Sequence, residues 1–90
     1  MTMNSVVPLS ETTAVRLSPR SVHSGADLTI QNLHASAYVY VGNENVSITD
    51  YGFRINPDTA FSVELNGKDE IWAVTSIENS QVAVLTLNLE

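Results

Sequence analysis

The chain of 90 residues contains no cysteine. Disulfide bonds and zinc sites built on thiolates are therefore excluded as sources of stability. A chain of this length forms one domain, and folding removes only about 60–65% of the surface that the unfolded chain exposes. Because so small a core leaves little spare stability, we expect association with partner subunits to supplement it.

Basic residues are scarce as well. Four lysines and arginines stand against ten acidic residues, which gives a formal net charge of −6. Such a surface repels polyanions, so the composition argues against DNA, RNA or anionic lipid as partners. No apolar run approaches the roughly 18 residues of a membrane helix, and the N-terminus lacks the basic-then-apolar order of a signal peptide. We expect a soluble protein that is made in the cytoplasm and binds neither nucleic acid nor membrane.

Motifs for catalysis and cofactor binding are also lacking. His23 and His34 stand in predicted loops or strand ends, without G-x-S-x-G or H-E-x-x-H spacing around them. The four glycines are spread along the chain, and none opens a helix as a phosphate-binding loop requires. We predict no catalytic residue, no metal and no cofactor. Replacing either histidine by alanine is therefore expected to leave function intact.

Two clusters leave alternatives open. Oxygen ligands gather near one predicted turn, at Asn43, Glu44, Asn45 and Asp50. Their spacing is not that of an EF-hand, and hard cations take six to eight oxygens, so a solvated acidic surface is preferred to a calcium site. Tyr51 and Phe53 could form a stacking platform for a sugar or a contact for a protein. Trp72, mid-strand among apolar neighbours, is interpreted as core or interface.

The sequence is rich in strand signals. Short segments of Val, Ile, Thr, Tyr and Phe alternate with turn residues roughly every eight to twelve positions. They predict strands at residues 15–18, 27–32, 38–41, 46–49, 60–65, 70–76 and 82–89. The predicted fold class is all-β, a small antiparallel β-sandwich or barrel with an extended N-terminal arm. We assign residues 1–12 to the arm and 13–90 to the single domain.

Residues 60–89 predict a three-strand meander. Its first strand alternates cleanly, with one apolar face made of Phe61, Val63 and Leu65. A loop of two or four residues after this strand places Trp72 and Val74 on that face. We prefer this alignment to the alternative, in which a three-residue loop places Ile71 and Ala73 there.

Three predicted strands are apolar on both faces, within residues 38–41, 71–74 and 82–85. In a one-domain sandwich one of those faces should meet water. Either the chain's own loops and N-terminal segment cover it, or a partner subunit does. The arm is likewise either a free tail or a segment laid across an adjacent subunit. The residues predicted to make subunit contacts are Val6, Val7, Leu9, Tyr38, Tyr40, Trp72 and Leu85.

Several segments together suggest a family. They are Ile30-Gln31-Asn32, Tyr38-Val39-Tyr40-Val41-Gly42, Asn45-Val46-Ser47, Tyr51-Gly52-Phe53-Arg54-Ile55-Asn56-Pro57, Ile71-Trp72-Ala73-Val74 and Val82-Ala83-Val84-Leu85. This set, about two-thirds of the chain, resembles small structural proteins of tailed-bacteriophage virions. In those proteins a VYVG element precedes a G-x-x-I/L-x-P turn and an I-W/Y-A-V strand. The resemblance implies a compact β-sandwich or barrel of a head, neck or tail, and it supplies no catalytic residue.

Two functional hypotheses follow. The first, implied by the resemblance, is a decoration (cement) protein of the phage head, with a connector or tail component as the next possibility. Its partners would be further copies of itself and the major capsid protein or another virion protein, and it would be found in the virion. The alternative is a monomeric binding module for a glycan or a host protein. An aromatic platform at Tyr51 and Phe53, outside any subunit contact, would favour the alternative.

Overall fold

The computed structural model of the chain describes residues 2–18, 25–66 and 69–87. This part of the chain forms strands and no helix, so the all-β prediction is confirmed. The strands are β1 (Met3–Pro8), β2 (Val15–Arg16), β3 (Gly25–Asn32), β4 (Val39–Gly42), β5 (Phe53–Ile55), β6 (Ala60–Asn66), β7 (Trp72–Thr75) and β8 (Gln81–Leu87). Among these residues no helix is long and apolar enough to cross a membrane.

The strands form two antiparallel four-stranded sheets. Sheet A has the order β1-β8-β3-β6, and sheet B has the order β2-β7-β4-β5. The pairs are nested: β1 pairs with β8, β2 with β7, β3 with β6, and β4 with β5. A single long hairpin, rolled up so that β3 also meets β8 and β4 also meets β7, produces this arrangement. It is the jelly roll, an eight-stranded β-sandwich of two Greek keys.

The core lies between the sheets and follows the alternation of the strands. In β3, Ala26, Leu28 and Ile30 point inward and are buried, while the intervening residues are less buried. The remaining core residues include Leu9, Leu17, Val39, Val41, Ile55, Leu65, Ala73, Val82 and Val84. Each valine, leucine or isoleucine side chain among them contributes about 1.5–3 kcal/mol when it is fully buried. The outer faces of the two sheets are left as the broad surfaces of the molecule.

The predicted meander is wrong. The strands β6 and β8 belong to sheet A, where β3 separates them, and β7 belongs to sheet B. The chain therefore crosses from one sheet to the other after β6 and again after β7. Because β6 and β7 are not neighbours, the loop between them does not align Trp72 or Val74 with Phe61. Turn residues permit a crossing as readily as a hairpin, and the sequence signal does not distinguish the two.

Between residues 43 and 55 the structure differs from the prediction in two ways: one predicted strand is a loop, and one strand was not predicted. The predicted strand at 46–49 is part of the loop between β4 and β5. There the Ser47 N–H donates to the Asp50 carbonyl oxygen (2.9 Å) and the Asp50 N–H donates to that of Ser47 (3.2 Å). The short strand β5 was not predicted, since Gly52 and Pro57 flank it. In contrast, Asp58 occupies a turn as expected, with φ of 56°.

The N-terminal segment is extended, and it is the edge strand of its own sheet. Residues 3–8 pair with β8 in an antiparallel register from Met3 opposite Thr86 to Pro8 opposite Gln81. After the strand, Leu9 enters the core with 2% exposure, and its N–H donates to the Ser80 carbonyl oxygen (2.9 Å). The prediction that Leu9 makes a subunit contact is therefore wrong, because the Leu9 side chain is covered by its own domain.

Candidate functional site: the two outer sheet faces

The outer face of sheet A, called face A, carries an exposed apolar strip. The strip consists of Val6, Ala83, Leu85 and Leu87. These residues are neighbours because Val6 pairs with Ala83 and the other two follow at alternate positions of β8. Val6 is 57% exposed, and Leu85 and Leu87 are 38% and 37% exposed. Strand β8 is thus apolar on both faces. Val82 and Val84 lie in the core, whereas Leu85 and Leu87 on the other face are exposed to solvent.

Polar side chains border the strip along β3 and β6. The hydroxyls of Thr29 and Ser62 lie 3.0 Å apart across the two strands. Asp27 pairs with Glu64 two residues further along the same ladder. A shallow depression of about 250 Å³ lies beside Leu85, lined in part by Val6 and Gln31. Face A therefore combines an apolar half on β1 and β8 with a polar, acidic half on β3 and β6.

The outer face of sheet B, called face B, is aromatic. The rings of Tyr40 and Tyr51 lie 4.7 Å apart between centroids. The guanidinium carbon of Arg54 lies 4.7 Å from the ring centroid of Tyr38, in a cation–π contact. Trp72 is half-buried, and its indole N–H donates to Glu70 Oε1 at 3.4 Å. Face B presents aromatic rings with a positive charge above one of them.

The loop between β4 and β5 covers part of face B. Gly42 points outward opposite Trp72, and a side-chain carbon on Gly42 would lie 3.1 Å from Cγ2 of Val46. The absence of a side chain at Gly42 therefore makes room for Val46, which is 7% exposed. Beside it the outward-pointing Val74 is only 1% exposed. The second apolar face of β4 and β7 is thus covered largely by the chain itself, whereas that of β8 is not.

Tyr51 and Phe53 do not share one stacking surface. The Tyr51 ring packs on Tyr40 over face B. The Phe53 ring instead stacks on Phe61 of the other sheet, with centroids 4.4 Å apart and an angle of 28° between planes. Since β5 and β6 are edge strands of their sheets, the stack of Phe53 on Phe61 closes one side of the sandwich. The platform considered from the sequence is therefore divided between two places.

The residues predicted for subunit contacts fall into three groups. Val6 and Leu85 lie on face A, in the strip. Tyr38, Tyr40 and Trp72 lie on face B. Val7 and Leu9 face the interior, where Val7 packs against the core cluster. The predicted set therefore covers two opposite faces of the domain and part of its core.

His34 has a structural role that its sequence context did not indicate. Its Nδ1 atom accepts hydrogen bonds from the backbone N–H groups of Ser36 and Ala37, both at 3.0 Å. The side chain shapes the connection between β3 and β4. His23 lies outside the described residues.

Asn32 is a buried polar residue that the sequence analysis did not single out. Its side chain is 0% exposed. The amide nitrogen donates to the carbonyl oxygens of Ala37 (2.7 Å), Asn56 (3.3 Å) and Ile55 (3.4 Å), and Oδ1 accepts the His34 N–H (3.0 Å). Both sheets are thereby tied together at one end of the sandwich. Only the position of Asn32, ending a strand of alternating apolar residues, could have suggested an inward amide.

The acidic turn considered for calcium is arranged around its own backbone. Asn43 Oδ1 accepts the Asn45 N–H at 2.8 Å, which is a local turn contact. Ser47 Oγ accepts the N–H of Asp50 at 3.0 Å. Within residues 2–18, 25–66 and 69–87, no three His, Asp or Glu side chains are grouped so as to hold a metal ion.

Comparison of the chain with models of protein families, with curated proteins and with solved structures found no significant match. The two outer faces, and not a relative, are therefore the basis for a functional proposal.

Proposed function

We propose that this chain is a non-catalytic structural protein of a tailed-bacteriophage particle, most specifically a decoration protein of the head. It is made in the host cytoplasm and resides in the virion. There it stabilises the particle through contacts with copies of itself and with the major capsid protein or another virion protein. The resemblance of its VYVG, G-x-x-I-x-P and IWAV segments to small virion proteins supplies the class of particle.

The single observation that carries the proposal is the apolar strip on face A. A domain of this size gains from every apolar residue that it buries, yet Val6, Leu85 and Leu87 remain substantially in solvent. Contiguous apolar surface bordered by polar residues is typical of a protein contact site. The jelly-roll fold is compatible with the proposal, because the architecture occurs in viral capsid domains.

The test is co-sedimentation of the purified chain with heads of the phage whose genome encodes it, run beside thermal unfolding. Leu85→Asp would bury an unpaired charge at the contact, so we expect at least a hundredfold weaker binding to heads. The melting temperature of that variant should change little, since Leu85 points outward. The matched control is Ser62→Asp, which places the same charge on the polar half of face A.

Equal losses of head binding and of stability in Leu85→Asp would make Leu85 an ordinary part of the fold. A wild-type chain that remains in the supernatant at high concentration would overturn the proposal itself.

A glycan- or host-protein-binding module is the second candidate, and face B favours it. Tyr51 is 43% exposed and Tyr38 is 37% exposed, so their rings offer stacking surface. The jelly roll also occurs in lectin domains. Binding to a glycan array that is lost in Tyr51→Ala and kept in Leu85→Asp would support this function over the first.

A further inference from the structure

A cavity opens at the side of the sandwich where β1 and β2 are the edge strands of the two sheets. Its volume is about 270 Å³. Strand β1 has six residues and β2 has only two, so sheet B covers only part of the inner side of β1. Met3 and Ser5 lie on the same side of β1 as Val7, which packs against the core, yet both are exposed. The cavity therefore leads from solvent into the space between the sheets.

The inner wall of the cavity is apolar apart from one hydroxyl group. Leu17 and Val84 line it, and both belong to the buried core. Thr86 also lines the cavity, lies on the same side of β8 as Val84 and is 5% exposed. No residue in the described part of the chain forms a hydrogen bond with the Thr86 hydroxyl. Because a buried hydroxyl without a partner is costly, a polar atom of a ligand at this point would gain a hydrogen bond.

A positive charge stands at the mouth of the cavity. Arg16 lines the cavity and is exposed. Its Nε–H donates to the Ser18 carbonyl oxygen at 3.2 Å, and this contact holds the guanidinium beside the opening. The N–H groups on its two terminal nitrogens have no partner among residues 2–18, 25–66 and 69–87. Two such parallel N–H groups match the two oxygens of a carboxylate.

We propose that this cavity is a binding site for a small carboxylic acid with an apolar body and a hydroxyl or carbonyl group at its far end. The carboxylate binds Arg16 at the mouth, and the apolar body contacts Leu17 and Val84. The far polar group forms a hydrogen bond with the hydroxyl of Thr86. A single guanidinium beside apolar walls matches one negative charge, which favours a carboxylate over a doubly charged phosphate.

Such a ligand contacts both sheets, because Val84 and Thr86 belong to sheet A whereas Arg16 belongs to sheet B. Its binding therefore stabilises the folded domain. The cavity is slightly smaller than the pockets that hold drug-sized molecules, so the ligand is small. The site does not include the apolar strip on face A, and the proposal is independent of the structural role in a phage particle.

Three matched probes test the site, each titrated into the isotope-labelled wild-type chain and followed by NMR. The first, 6-hydroxyhexanoate, has the carboxylate, the apolar body and the hydroxyl. Hexanoate lacks the hydroxyl, and 1,6-hexanediol lacks the carboxylate. We expect 6-hydroxyhexanoate to bind with a dissociation constant of about 1 mM or lower and to shift the signals of Ser5, Leu17 and Thr86. Hexanoate should bind roughly threefold more weakly, and the diol about tenfold more weakly or worse.

Two substitutions test the contacts at the two ends of the probe. Arg16→Gln should weaken the binding of 6-hydroxyhexanoate about tenfold or more and leave that of the diol unchanged. Thr86→Val replaces the hydroxyl by a methyl group of similar size. It should weaken the binding of 6-hydroxyhexanoate roughly threefold and leave that of hexanoate unchanged. The matched control is Arg54→Gln, which removes the same charge from face B and should bind all three probes as the wild type does.

Thermal unfolding of each variant checks that the fold is intact. The melting temperature of Thr86→Val should equal or exceed that of the wild type, because the substitution removes a buried hydroxyl that has no partner in the described chain. A lower melting temperature would show that the hydroxyl is already satisfied, and the proposed contact with the ligand would be wrong. A wild-type preference for 6-hydroxyhexanoate over hexanoate in Thr86→Val would also contradict that contact.

Two results would overturn the site as a whole. The first is a wild-type chain whose NMR signals do not move at about 20 mM 6-hydroxyhexanoate, well above the expected dissociation constant. The second is an equal loss of binding in Arg16→Gln and Arg54→Gln, because the loss would then follow from net charge and not from the position of Arg16.

Discussion

At the scale of single residues, Asn32 joins the two sheets. It ends β3 of sheet A, and its amide nitrogen reaches carbonyl oxygens at one end of sheet B, just before β4 and at the end of β5. A buried amide that satisfies backbone carbonyls supplies an orientation that an apolar side chain cannot. The sequence could not indicate this, because the three acceptors are backbone atoms of residues 5 to 24 positions away.

Asn32→Asp tests that role with almost no change in shape. The carboxylate would lose the donors and face three carbonyl oxygens in a buried site, so we expect the free energy of unfolding to fall by about 3 kcal/mol or more. Urea denaturation followed by fluorescence measures it. Asn4→Asp on the exposed edge strand is the matched control and should cost less than about 0.5 kcal/mol. Similar losses in both variants would contradict the role of Asn32.

His34 gives a second prediction at this scale. Its Nδ1 accepts the N–H groups of residues two and three positions later, as an asparagine side chain does in an Asx turn. His34→Ala leaves the N–H of the buried Ala37 without this acceptor and should cost about 1 kcal/mol in unfolding free energy. His34→Asn should retain most of the unfolding free energy that His34→Ala loses. Neither variant should lose head binding in co-sedimentation; loss of a function with the fold intact would make His34 a functional residue.

At the scale of elements, local sequence patterns predicted where the strands lie better than they predicted which strands pair with each other. The alternation of residues 27–32 located β3 because apolar side chains at every second position must face one core. The partners of β3 are β6 and β8, more than 25 residues away in sequence, and nothing local to β3 specifies them. The turn residues at 66–69 therefore suggested a hairpin between two strands that belong to different sheets.

The prediction that some strands are apolar on both faces was also correct only in part. The sequence correctly singled out β4, β7 and β8 as apolar on both sides. It could not show that the loop around Val46 covers β4 and β7, because that contact depends on the missing side chain of Gly42. Nor could it show that Leu9 is core, because an isolated leucine after Pro8 has no periodicity. The exposed face of β8 is what remains as a candidate site.

Two adjacent valines of β1 allow an effect on stability to be distinguished from an effect on head binding. Val6 points outward in the strip and is 57% exposed, whereas Val7 packs against the core. Val7→Asp should lower the free energy of unfolding by about 2–4 kcal/mol, because a charge enters an apolar interior. Val6→Asp should cost less than about 0.5 kcal/mol and weaken head binding at least tenfold. Thermal unfolding and co-sedimentation of both variants measure this. Unchanged head binding in Val6→Asp would remove β1 from the contact.

At the scale of the whole molecule, the fold is a set of nested pairs. Val39 of β4 pairs with Ile55 of β5, with the loop of residues 43–52 between the two strands, while Met3 pairs with Thr86 near the two ends of the described chain. The entropy lost on closing a loop increases with its length. Formation of the inner pair shortens the loop that the next pair must close. The jelly roll is therefore expected to form from β4 and β5 outward.

Val39→Ala and Val82→Ala test that order, since both valines are 0% exposed and lose the same two methyl groups. Val39 belongs to the inner pair and should form its contacts in the transition state, so its variant should fold more slowly. Val82 lies in β8 between β1 and β3, and its variant should mainly unfold faster. Stopped-flow fluorescence of the single tryptophan, Trp72, measures both rates. Wild-type folding should take milliseconds to seconds, as is typical of folds dominated by distant pairs. If Val82→Ala slowed folding while Val39→Ala left the folding rate unchanged, the chain would instead form its outer strands first.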